Sequence, residues 1–91
     1  MVTAFILMNV DRQQIAKTAE LLAGIEGVSE VYSVSGNYDL ITIVRVANNE
    51  ALSDLVTGQL AKVDAIQTTE TMLAFKTFSG YDLEAMFGVG M

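Results

Sequence analysis

Two stretches of this chain, residues 3–10 (TAFILMNV) and 40–46 (LITIVRV), are apolar almost without interruption. Runs of that length and composition suit strands buried on both faces, not the alternating strands of a sheet with one wet side. With 91 residues the chain makes one domain at most, and a domain so small has little interior with which to cover two faces. Cover must come from elsewhere. The hydrophobic content of 52% points the same way, because that much apolar surface does not fit inside one compact subunit.

The segments between these runs carry helical and turn signals. Asp11 reads as a helix cap with Gln14 as its capping-box partner, and Val10 and Ile15 take the positions of a hydrophobic staple. Ile15, Ala19, Leu22 and Ala23 follow at helical spacing, and Gly24 is the expected stop. A strand is expected over 28–35, then turn chemistry at Gly36 and Asn37, then the strand 40–46 as the second arm of a hairpin. Asn48 caps a second helix with Leu52, Leu55, Val56, Leu60 and Val63 on one face. Gly58 weakens that helix by about 1 kcal/mol relative to alanine. A last strand is expected over 66–78, threonine-rich at its start.

The order is βαββαβ, which predicts an α+β, ferredoxin-like domain: a four-stranded antiparallel sheet with two helices on one face. Strands one and three are expected at its centre, running parallel, with strands two and four at the edges. Right-handed crossovers put both helices on the same side. Phe5, Leu7, Ile41 and Ile43 alternate with Ile6, Met8, Leu40, Thr42 and Val44, so both faces of the central strands are largely apolar and the uncovered side is too. At about 25 cal/mol per Å² of apolar surface, leaving that side wet is costly. A second copy packed sheet to sheet, forming a homodimer resembling an α/β barrel, is the expected cover, with the chain's own tail as the alternative. The domain is read as residues 1–79. Residues 80–91 form a short tail in which Asp82, Leu83, Met86 and Phe87 have the spacing of a docking helix.

The chemistry is sparse. Histidine, cysteine and tryptophan are absent, which removes the commonest general base, thiol nucleophiles and the usual zinc ligands. No carboxylates cluster at metal-ligand spacing, so no catalytic, metal or cofactor site is expected. The net charge of −6 and the scattered basic residues argue against direct contact with nucleic acid or an anionic membrane. The apolar start is too short to span a bilayer and lacks signal-peptide flanks, so a cytoplasmic location is expected. What remains is the turn Gly36-Asn37-Tyr38-Asp39. It offers backbone N–H groups, an amide, a phenol and a carboxylate at one end of the sheet. An α-amino acid needs an acceptor for its ammonium, which Asp39 could be, and donors for its carboxylate, which turn N–H groups and threonine hydroxyls could be. By itself the pattern is more often that of an ordinary hairpin.

The string VYSVSGNYDL (31–40) resembles the "TG-x-YD-L" hairpin of the Lrp/AsnC (feast/famine) regulators, and IQTTET (66–71) resembles their "V-x-x-T-x-T" strand. The AFILMNV start and the GIEGV that ends the first helix are similar too. The resemblance runs from residue 2 to about residue 78 and implies the family's effector-binding (RAM) domain. It further implies subunits paired through their sheets, dimers assembled into rings of commonly four, and amino-acid effectors held between dimers. Gly36, Tyr38 and Asp39 match the effector loop, Asn37 lies within it, and Thr69 and Thr71 match strand positions lining the cleft. One departure is that the chain opens directly on the first strand, with no helix-turn-helix before it. The resemblance is therefore to a stand-alone module that senses an amino acid. Alternatives are a ligand-free assembly partner of a full-length Lrp/AsnC paralogue, or a small dimeric α/β-barrel enzyme, against which the missing histidine and tryptophan argue.

Overall fold

The computed structural model describes residues 1–78 and 80. Strands and helices follow in the expected order: β1 (Val2–Val10), α1 (Ile15–Ala23), β2 (Val28–Ser33), β3 (Leu40–Val46), α2 (Asn49–Asp54) and β4 (Ile66–Leu73). The sheet order is β2-β3-β1-β4, so the two apolar runs are central and the more polar strands form the edges. This is the ferredoxin-like α+β plan. The expected parallel pairing of the central strands is wrong, however. β1 and β3 run antiparallel, with Phe5 opposite Ile43 and Leu7 opposite Ile41. Connectivity explains it: β2 returns parallel to β1 through α1, and the hairpin then reverses the chain before β3 enters between them.

One face of the sheet makes the core. Ala4, Ile6, Met8 and Val10 alternate into it from β1 and meet Leu22 of α1 together with Leu55 and Leu60. Leu40, Thr42 and Val44 join from β3, each fully buried. The buried Thr42 hydroxyl finds the Met8 sulfur at 3.9 Å, a weak acceptor but a partner nonetheless. Among the described residues the other face carries no helix. There Phe5, Leu7 and Ile41 are half-buried and Ile43 is only 7% exposed, because the four pack against one another across the β1–β3 pair. The large apolar side chains left open on this face are Tyr32 on β2 and Met72 on β4, each about half exposed.

Several local expectations shift for physical reasons. Asp11 caps its helix through Oδ1, which accepts from Gln13 N at 3.1 Å. The capping box does not form, because the Asp11 N–H donates to the Ala65 carbonyl at 2.8 Å and leaves Gln14 nothing to reach for. The first turn, Arg12–Gln14, is accordingly a 3₁₀ turn. Gly24 ends α1 in a right-handed conformation, and it is Gly27 that takes positive φ, at 98°. β2 stops at Ser33, short of the expected 35, leaving 34–39 as the hairpin loop.

Asn48 caps α2 as expected, its Oδ1 accepting from Ala51 N at 2.8 Å. The helix then departs from α geometry. Leu55–Gln59 forms a π turn and Leu60–Lys62 a 3₁₀ turn. Gly58 lies in the π turn, and Thr57 Oγ1 donates back to the Ser53 carbonyl at 2.7 Å. The wider turn serves the core. Leu55 and Leu60, five residues apart, would point about 140° apart on an α-helix, yet both are buried.

β4 ends at Leu73 instead of continuing to residue 78. Its last tie is Ala74 N to the Thr3 carbonyl at 2.9 Å. Beyond that, β1 has almost no backbone left to pair with, since it begins at Val2. Phe75 and Phe78 consequently stand 97% and 84% exposed, with the Lys76 ammonium 5.1 Å from the Phe78 ring centre. The docking helix expected from Asp82 to Phe87 lies outside the described residues.

Candidate functional site

The loop 34–39 closes on two backbone ties, Val34 N to the Asp39 carbonyl at 3.1 Å and Asp39 N to the Met8 carbonyl at 2.9 Å. Between them Gly36 takes φ 110°, and a Cβ built there meets nothing within 4 Å. Its glycine is therefore required by torsion and not by crowding. The tip, with Ser35, Gly36 and Asn37 exposed, is open to approach from solution.

Asp39 is the fixed point of the loop. Its Oδ2 accepts from Val10 N at 3.0 Å, which pins the end of β1 to the hairpin. A carboxylate can accept several hydrogen bonds, so this tie orients the group and leaves capacity for a second donor. Tyr38 is half-buried and its hydroxyl donates to Glu70 Oε2 on β4. That hydrogen bond, then partial desolvation, then the Glu70 charge hold the Tyr38 phenol above its ordinary pKa of 10.0. Each of these disfavours the phenolate.

The six residues singled out from the sequence are only partly brought together. Gly36, Asn37, Tyr38 and Asp39 form one loop. Thr69 and Thr71 lie opposite Met8 and Ile6, so they share the helix-bearing face of the sheet and are exposed at its edge. Thr69 lines a groove of about 430 Å³ between β4 and the π turn, with Thr57, Leu60 and Ile66 among its walls. Glu70 lies opposite Leu7 on the open face, and this is where Tyr38 reaches. Tyr38 and the two threonines thus address opposite faces of β4. Asn9 and Thr68 share the open face with Glu70, Asn9 Nδ2 donating to Thr68 Oγ1 at 3.0 Å. Glu70, Asn9 and Thr68 were not read as site residues. The period-two alternation within TTET was the signal that could have separated Glu70 from its neighbours.

A larger hollow of about 770 Å³ lies at the other end of the sheet, beside Gly27, Val46 and Leu55. Among the described residues no group of three His, Cys, Asp or Glu side chains could hold a metal ion. No helix among them is long and apolar enough to cross a membrane.

Residues 3–82 match the Lrp/AsnC ligand binding domain. The uncharacterised HTH-type transcriptional regulator PH1916 of Pyrococcus horikoshii is 37% identical over 78 residues, covering 82% of this chain and 52% of that protein. This chain spans about half the length of the curated regulators it matches. The crystal structure of TTHA0845 from Thermus thermophilus superposes with a TM-score of 0.81 at 38% identity, over 87% of this chain and 99% of that one. At the level of fold alone, so does the regulator NMB0573 of Neisseria meningitidis in complex with L-Met, with a TM-score of 0.70, 15% identity and coverage of 94% and 59%. The chain belongs to the Lrp/AsnC ligand-binding domain family.

Proposed function

We propose that this chain is a regulatory module that binds an amino acid at the hairpin end of its sheet and works as an assembly, without catalytic chemistry of its own. The observation that carries this is the hairpin. An anchored carboxylate at Asp39 stands beside an exposed glycine tip, Ser35 to Asn37. Ammonium would go to Asp39, and the ligand carboxylate to turn N–H groups of Gly36 and Asn37, with Tyr38 at the wall. Thr69 and Thr71 face the other side of β4, so in one subunit they cannot meet Tyr38 around a single ligand. Their contribution would be to a cleft shared with a neighbouring subunit. The complex of NMB0573 with L-Met lends the amino-acid class further support.

The assembly part of the reading rests on the sheet face that no described helix covers, whose apolar strip of Phe5, Leu7, Ile41 and Ile43 is bordered by Tyr32 and Met72. A second copy packed on it gives the dimer, and further contacts give a larger ring, an octamer in the simplest case. Regulator relatives go with a cytoplasmic setting, and joining a DNA-binding paralogue is one route to a transcriptional effect.

The test is a thermal-shift panel of each proteinogenic amino acid at millimolar concentration, on the wild type and on Asp39→Asn. Asparagine keeps an oxygen to accept from Val10 N but loses the charge. Stabilisation by a small set of amino acids in the wild type, absent in Asp39→Asn, is expected. No response to any amino acid would overturn the effector reading and leave a ligand-free assembly partner. Sedimentation as a single subunit at low micromolar concentration would overturn the assembly reading.

A further inference from the structure

We propose that Glu70 is a positioning residue for the effector loop: by accepting the Tyr38 hydroxyl across the open face of the sheet, it sets the loop in its binding geometry before a ligand arrives. This deepens the amino-acid reading above and rests on it for its functional consequence. Its structural content stands alone.

The backbone ties of the loop fall on its two ends, Val34 and Asp39. Gly36, between them, has the torsional freedom of glycine and is exposed, with nothing within 4 Å of where a Cβ would stand. A tip built this way would sample many conformations unless something outside the loop holds it. The Tyr38 hydroxyl supplies that restraint, and its partner is 32 residues away on the far edge strand. With the order β2-β3-β1-β4, the phenol must pass the end of β1 to reach β4. A side chain of tyrosine length on the loop and one of glutamate length on the strand are both needed to close that span.

Glu70 is an exposed residue of the edge strand β4. It stands opposite Leu7 on the face whose centre is apolar, where an uncharged residue would extend the packing surface. Its neighbours Thr69 and Thr71 point to the other face and cannot substitute for it. The hydrogen bond is exposed, so it adds little to global stability. What it adds is order in the loop, and a ligand that finds the loop already ordered forfeits less entropy on binding.

The experiment uses the full chain, labelled with ¹⁵N and free of ligand. The heteronuclear NOEs of the Gly36 and Asn37 amides and the ultraviolet titration of the tyrosines are compared among wild type, Glu70→Ala, Glu70→Gln and Tyr38→Phe. Glu70→Ala should lower the loop NOEs and shift one tyrosine titration towards its ordinary value, with a melting temperature within about 3 °C of wild type. Glu70→Gln, which keeps an acceptor oxygen, should retain loop order. Tyr38→Phe should loosen the loop as Glu70→Ala does, and combining the two should add nothing. For an amino acid that stabilises the wild type in the thermal-shift panel, Glu70→Ala should weaken calorimetric affinity about five- to tenfold and Glu70→Gln by less than about twofold.

Unchanged loop NOEs and tyrosine titration in Glu70→Ala would overturn the proposal whatever the ligand panel shows. A wild type that binds no amino acid overturns the effector reading alone, since the loop measurements still decide whether Glu70 positions Tyr38. If Glu70→Ala does not fold, a Tyr38→Phe variant with loop NOEs equal to wild type overturns the proposal equally well.

Discussion

Replacing Gly27 by alanine should destabilise the domain by about 2–4 kcal/mol, the sum of two separable penalties. The first is torsional. Gly27 takes φ 98°, a region that costs a residue with a Cβ about 1–2 kcal/mol. The second is steric. A Cβ there would lie 2.9 Å from Leu55 Cδ1 and 3.0 Å from Val46 Cγ1. The leucine methyl sits in the core with its residue only 5% exposed, and the valine is stiff at χ1. Relief therefore means repacking, at about 1–2 kcal/mol. Gly36→Ala is the matched control, since its φ of 110° carries the same torsional cost while nothing lies within 4 Å. It should lose only about 1–2 kcal/mol. For a domain of this size each kcal/mol shifts the melting temperature by about 4–8 °C. Gly27→Ala should thus melt roughly 10–25 °C below wild type, and Gly36→Ala by about half as much or less. Urea denaturation at matched protomer concentration separates stability from self-association. Equal losses at the two glycines would refute the steric half of the argument, and no loss at Gly27 would refute both halves.

Asn48→Ala removes the acceptor that caps α2 at 2.8 Å and should cost about 1 kcal/mol in urea denaturation; Asn48→Asp, which keeps an acceptor, should cost less. Met72→Glu replaces a half-exposed side chain on the open face, so it should leave the single subunit intact while weakening self-association at least about tenfold by sedimentation velocity. An unchanged sedimentation profile would mean that this face is not where copies meet. Tyr32 and Tyr38 each donate to a carboxylate, Glu30 and Glu70, and both phenols are held above the ordinary 10.0. A raised folded-state pKa gives stability that is complete below pH 10 and is lost as pH rises through the raised value. Absorbance near 295 nm should show these two ionising later than free tyrosine, and a normal titration for all tyrosines would contradict the hydrogen bonds.

The elements whose register follows from composition were legible. β3 spans 40–46 as its continuous apolar run implied, and Asn48 caps as its position implied. What the sequence concealed depends on partners distant in the chain. The Asp11 capping box was displaced by Ala65, whose carbonyl arrives from 54 residues away. The π turn exists because Leu55 and Leu60 both have a place in the core, and a stripe read at α spacing conceals that competition. β4 stopped early because β1 ran out of backbone, although 74–78 kept the composition of a strand. The site was legible as a loop and not as a constellation. The hairpin residues were proposed by type, whereas the face on which each β4 residue sits is a matter of register. A one-residue difference in register exchanges Glu70 for Thr69 or Thr71.

The open face is divided along its length, and that division bears on how one surface can serve two roles. Phe5, Ile43 and Met72 lie on adjacent strands in its apolar part, and Asn9, Thr68, Glu70 and the Tyr38 hydroxyl gather at the hairpin end. A surface built only for packing against a second copy would gain nothing from the polar end, because burying a carboxylate costs more than leaving it wet. A surface built only for a ligand would have no use for the apolar part. On the proposed reading the second copy covers the apolar part and the hairpin end stays reachable. Mutations should then sort by position along one strand: Met72→Glu acting on assembly, and Glu70→Gln leaving assembly intact. The two residues are neighbours on the same face of β4, two positions apart. A loss of assembly from Glu70→Gln equal to that from Met72→Glu would therefore mean that the whole face is buried between copies, and that the loop's route to solution runs elsewhere.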